Sequence, residues 1–137
     1  YALVDLKATL QNAAMVEGET TEADFAYAAS EALWNGARDA GPSLLEPVMN
    51  VEVVVPEQYL GDVTGHLNSR RGKISGMEQV RSDRVVTAVV PLIEMFGYAT
   101  QLRSLTQGRG VYTMQLVRYE RVPQKIAAEM TRHYVGA

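Results

Sequence analysis

The sequence contains no cysteine. Disulfides, thiolate catalysis and Cys-type zinc sites are thereby excluded, and a reducing compartment is suited. No apolar run approaches the ~20 residues that span a bilayer, and no basic-then-apolar signal opens the chain. The expectation is a soluble, cytoplasmic protein with no membrane partner. An excess of basic charge is also missing. The net charge is −3, whereas a protein that binds polyanions through bulk charge is basic overall. The charge is uneven, with two bases and seven acids in residues 1–45 and 11 bases and nine acids in the remainder. Any nucleic-acid contact must be local and guided by shape.

Motifs that carry chemistry are equally scarce. A phosphate-binding loop needs Gly-x4-Gly-Lys-Ser/Thr, so that backbone amides and a lysine cradle the phosphates. Gly65 to Gly72-Lys73 has the wrong spacing, and Ile74 has no hydroxyl for magnesium. The two histidines, His66 and His133, lack a histidine at i+4 and clustered carboxylates. His66 reads as a phosphate or carboxylate contact or, more simply, as a solvated helix residue; His133 suits the negative end of a helix dipole. Glu17, Glu19, Glu22 and Asp24 lack the glycine and spacing of a calcium loop and read as a solvated acidic loop. No catalytic residue, metal site or cofactor is expected in this chain.

What is present is pattern. A chain of 137 residues holds one ordinary domain, or a small domain and a piece of another. Residues 3–10 alternate, with Leu3, Asp5, Lys7 and Thr9 opposite Val4, Leu6, Ala8 and Leu10, which predicts a strand. Opening inside that strand on Tyr1, the chain reads as a fragment. A helix is predicted over residues 21–38: Thr21 and Asp24 form an approximate capping box, and Phe25, Ala28, Ala29, Ala32 and Leu33 make its apolar stripe. One strand and one helix cannot bury both their apolar faces, so self-association through exposed apolar surface is expected.

A complete unit follows. Strands are predicted over 49–55, 72–80 (irregular at Gly76), 84–90 and 111–122, with a polar turn at Arg81-Ser82-Asp83. Helices are predicted over 57–69, 92–106 and 123–134. Leu60, Val63 and Leu67 face inward on the first, Ile93, Phe96, Ala99 (or Thr100) and Leu102 on the second, and Ile126, Met130 and His133 share one side of the third. The order β-α-β-β-α-β is the ferredoxin-like arrangement, an α+β sandwich with both helices on one face of a four-stranded antiparallel sheet. RNA-binding sheets of this shape stack bases on aromatics of their central strands. Residues 84–90 carry none, so base stacking is not expected and that face suits a second protein layer. Two basic turns remain, Ser69-Arg70-Arg71-Gly72-Lys73 and Gln107-Gly108-Arg109-Gly110, with Arg103 one turn before the latter. Cations there either offset the helix dipole or hold phosphate through bidentate guanidinium bonds.

Several segments resemble the carboxyl-terminal part of translation elongation factor G: Leu44-Leu45-Glu46-Pro47-Val48-Met49-Asn50-Val51-Glu52-Val53, Gly61-Asp62-Val63, Leu67-Asn68-Ser69-Arg70-Arg71-Gly72, Pro91-Leu92 and residues 94–109. The resemblance implies that residues 1–45 are a partial domain IV, that 46–122 are the ferredoxin-like domain V, and that 123–137 form a helix packing between the two. It implies a parent GTPase that moves tRNA and mRNA through the ribosome, with GTP and Mg in a G domain absent from this sequence. Implied partners are large-subunit rRNA and ribosomal proteins, with tRNA and mRNA at the decoding site. Arg70, Arg71, Lys73, Arg103, Gln107 and Arg109 become candidate rRNA contacts, and Ala14, Met15, Val16 and Glu17 a candidate decoding-site tip. The tip departs from the family's usual Gly-Ser-Tyr-His-Asp-Val-Asp-Ser-Ser-Glu: Val16 stands where histidine is usual, and Asp is usual at the position of His66. Alternatives are a divergent paralogue with a recycling or specialised ribosomal role, and a free-standing ferredoxin-like module that binds a ligand or protein.

Overall fold

A computed structural model describes residues 1–132. The chain divides into two compact units, residues 1–43 and the part from Leu44 onward. In the first, helix α1 (Glu22–Asp39) starts where the sequence predicts. The Thr21 hydroxyl accepts from the Asp24 amide, and the Asp24 carboxylate accepts from the Thr21 amide at 2.8 Å, completing the capping box. Those hydrogen bonds hold the Asp24 carboxyl below the usual carboxylate range. The strand expected over residues 3–10 does not form; the segment is exposed and has no ladder partner among the described residues. Alternation specifies which side chains would share a face, but a strand exists only when a neighbour takes its backbone groups.

The second unit has the expected α+β, ferredoxin-like plan. Strands β1 (Leu45–Pro56), β2 (Lys73–Val80), β3 (Asp83–Pro91) and β4 (Val111–Arg121) form one antiparallel sheet in the order β2-β3-β1-β4. Helices α2 (Leu60–Ser69) and α3 (Tyr98–Thr106) share one core with the sheet, and α4 (Gln124–Arg132) closes the described chain. Strand β1 begins earlier than its valine alternation suggests, because β4 pairs with it back to Leu45. Pro47 is tolerated there since pairing to β3 starts only at Val48, which leaves the proline at a locally unpaired edge. The irregularity expected at Gly76 is a register shift between Ile74 and Gly76.

The core consists of Val51, Val53 and Val55 from β1, Val86, Ala88 and Val90 from β3, Val63 and Leu67 from α2, Tyr98 and Leu102 from α3, with Tyr59 and Met95 beside them. Burying a side chain of this size contributes roughly 1.5–3 kcal/mol. The alternate residues Glu52 and Val54 on β1, and Val85 and Thr87 on β3, lie on the face the helices leave open. On α4, Ile126 and Met130 are half-buried as expected, while His133 and Tyr134 lie outside the described residues.

One helix differs from expectation in a way that matters for the site. Residues 92–106 do not form a single helix. A 3-10 turn (Leu92–Met95) gives way to extended Phe96, then Gly97 at φ 74°, and only then α3. Glycine enters the left-handed region without steric cost, and the 3.6-residue phase is not carried across it. The buried residues are Met95, Tyr98, Leu102 and Thr106, whereas Ile93 and Phe96, expected inside, are 49% and 71% exposed.

Candidate functional site

The turn after α2 is built by backbone closure. The amides of Arg70 and Gly72 both donate to the Leu67 carbonyl, at 3.1 and 3.0 Å, and Arg71 between them takes φ 59°. This is a Schellman-type ending with arginine, not glycine, in the left-handed position. Gly72 is required for a different reason: a Cβ there would meet the Leu67 carbonyl oxygen at 2.6 Å.

Both arginines of this turn are engaged within the unit. Arg70 donates through Nη1 to the carbonyls of Glu94 and Phe96, the latter at 3.3 Å, and through Nε to His66 Nε2 at 3.4 Å. Its guanidinium carbon lies 5.3 Å from the Tyr98 ring centroid. Arg71 makes a forked ion pair with the buried Glu46 carboxylate and lies 3.9 Å from Glu94. The Glu46 hydrogen bonds push the Arg71 guanidinium above its usual value. Lys73 is exposed, with no side-chain hydrogen bond or ion pair among the described residues.

The turn after α3 is built alike and used differently. Gln107 is left-handed at φ 52°, and the Gly108 amide donates to the Arg103 carbonyl at 2.8 Å. Beneath it the buried Thr106 hydroxyl donates to the Leu102 carbonyl at 2.6 Å and accepts from the Gly110 amide at 2.8 Å. The side chains of Arg103, Gln107 and Arg109 are all exposed and make no hydrogen bond or ion pair among the described residues. Arg103 also edges a shallow groove shared with Ala99, Leu102, Gly110, Val111 and Tyr112. Lys73 pairs with Val89 near the end of β3, and Val111 with Val54 near the end of β1. Since β1 and β3 are antiparallel, the two basic turns stand at opposite ends of the sheet and form two separate patches.

His66 is half-buried rather than fully solvated. It stacks on Tyr98 at 5.6 Å and 15°, and Tyr112 meets the Tyr98 ring edge-on at 4.9 Å. Burial, then the nearby Arg70 charge, holds the His66 pKa below the ordinary histidine value. Burial pushes the Tyr98 phenol up to about 12. Glu46, Glu94 and Tyr98 were invisible as partners in the sequence; only the i, i+4 spacing of His66 and Arg70 on a helix could have signalled part of the cluster.

In the first unit, Ala14, Met15, Val16 and Glu17 are exposed. The loop closes on Val16, whose carbonyl accepts from Glu19 and Thr20 at 3.1 and 2.9 Å and whose amide donates to the Thr20 hydroxyl at 2.7 Å. No group of metal-ligating side chains occurs among the described residues, and no described helix is long and apolar enough to cross a membrane.

A four-stranded β2-β3-β1-β4 sheet with two helices on one face defines a ferredoxin-like α+β module. Its family is shown by sequence: residues 43–130 match the model for the elongation factor G C-terminus, and the chain belongs to that family. A crystal structure of a protein from Thermus thermophilus is 39% identical, covers 73% of this chain and superposes with a TM-score of 0.69. The match spans 15% of that longer chain.

Proposed function

We propose that this chain is the ribosome-docking, carboxyl-terminal part of an elongation factor G-type GTPase that promotes translocation of tRNA and mRNA. Membership of the family over residues 43–130 is the observation that carries this reading. GTP and Mg belong to the G domain of that larger protein, and the module here positions it on the ribosome in the cytoplasm. Arg103, Gln107 and Arg109 form the principal contact to rRNA phosphates, because they are exposed and unpaired among the described residues. Lys73 contributes at the other end of the sheet. Arg70 and Arg71 act from beneath, shaping the surface through Glu94, Phe96 and Glu46. The Ala14–Glu17 loop is the candidate tip at the decoding site, where Val16 supplies neither charge nor a side-chain hydrogen bond.

Binding of the 137-residue chain to ribosomes tests the docking reading. With so few phosphate contacts, the affinity is expected to be weak and to fall only gently with salt. Nanomolar binding at physiological salt contradicts the expected weak affinity, binding indifferent to loss of both Arg103 and Arg109 contradicts the phosphate contact, and no binding even at low salt contradicts docking. In the longer protein, Val16→His is expected to change the translocation rate without changing stability; equal rates would remove the tip from the mechanism.

A further inference from the structure

We propose that His66 and Arg70 form a pH-sensitive latch, in which the neutral imidazole holds the Arg70 guanidinium on residues 92–97 and protonation of His66 releases it. Arg70 Nε donates to His66 Nε2 at 3.4 Å, so Nε2 must be unprotonated and the ring proton sits on Nδ1. His66 Nδ1 is buried with no partner among the described residues. The same guanidinium is the clasp for the next segment, donating to the Glu94 and Phe96 carbonyls just before left-handed Gly97. Two carbonyls at a break between helices lack helical partners, and a fixed cation satisfies both. The latch therefore sets the position of the turn that presents Ile93 and Phe96 outward.

The surroundings make protonation of His66 a change of state. From α2 the charged neighbour is Arg70, with Asp62 one turn earlier. Residues 92–97 offer Glu94, whose carboxylate faces Arg71, itself held by Glu46. From α3 the Tyr98 phenol ring stacks on the imidazole, and from β4 Tyr112 stands edge-on to Tyr98. No carboxylate hydrogen-bonds His66 among the described residues. Adding a proton removes the acceptor that Arg70 uses and places two cations side by side. The sign follows from the lowered pKa of His66. The stabilisation by neutral His66 is present above the unfolded value of about 6.5 and is lost as pH falls from there through the lower folded value.

An NMR titration of the intact 137-residue chain from pH 8 to 5 tests this, with His133→Gln used to identify the His66 resonances. The expected result is an Nδ1–H tautomer at pH 8, a His66 midpoint below about 6.5, and movement of the Phe96 and Gly97 amides with that midpoint. His66→Gln supplies a carbonyl acceptor that does not titrate, and should abolish the response of those amides. A His66 midpoint at or above about 6.5, or Phe96 and Gly97 amides that stay still through its titration, overturns the latch. The wild-type titration decides the matter even should the variant fold poorly.

Discussion

The turns after α2 and α3 are near copies in backbone logic. Each ends its helix with a left-handed non-glycine residue, Arg71 or Gln107, and an amide returning to a carbonyl five residues earlier. Their side chains go opposite ways. Arg70 and Arg71 turn into the unit because Glu46 and the Glu94 and Phe96 carbonyls wait there. Arg103 and Arg109 meet no acceptor among the described residues and are exposed. Equal arginine content thus yields a structural turn at one end of the sheet and a free cationic patch at the other.

Mutations can break this contrast at either end. The largest loss is expected for Arg71→Ala, which leaves the Glu46 carboxylate buried without its cation and should destabilise the chain by about 3 kcal/mol; urea unfolding at pH 7 reads this directly. If stability is unchanged, the α2 turn is as free as the α3 turn. Next is Gly72→Ala, whose Cβ would press on the Leu67 carbonyl, with an expected loss of about 2 kcal/mol, measured in the same way. Tyr98→Phe acts in the reverse direction. It removes a buried hydroxyl that has no partner among the described residues while keeping the ring under Arg70, and should stabilise by up to ~1 kcal/mol; a loss on thermal melting would show that the hydroxyl is satisfied. Smallest in stability is the pair Arg103→Ala with Arg109→Ala, within about 0.5 kcal/mol of the parent. That variant should nonetheless lose ribosome binding by roughly a hundredfold, the scale of two charge-assisted hydrogen bonds, in a sedimentation assay.

Most of the fold was legible in local pattern. Alternating Val51, Val53 and Val55 marked β1, a β-branched run marked β3, Pro56 and Pro91 stood at their ends, and Thr21 with Asp24 marked the start of α1. The misreadings have separate physical causes. Residues 3–10 carry a strand's alternation but have no ladder partner among the described residues, and alternation without a partner makes no strand. Residues 92–106 looked like one helix because glycine is only weakly disfavoured within a helix, and nothing local announced that Gly97 would adopt φ 74°. The site was less legible than the fold. All six candidate rRNA contacts were visible as polar residues near helix ends, but their orientation was not.

Local spacing and propensity, together with the segments shared with the family, were enough by themselves to determine the β-α-β-β-α-β order, the absence of a Gly-x4-Gly-Lys-Ser/Thr motif and the membership. Those properties depend on residues close along the chain, or on the mere presence of residue types. The tertiary structure alone decided that Arg71 meets Glu46, 25 residues away, and that Arg70 reaches Glu94, 24 residues away. It also decided that His66 lies against Tyr98 and that the two basic turns stand at opposite ends of the sheet. Each of these depends on antiparallel pairing and helix packing bringing distant residues within a few ångströms, a condition that no window of the sequence contains.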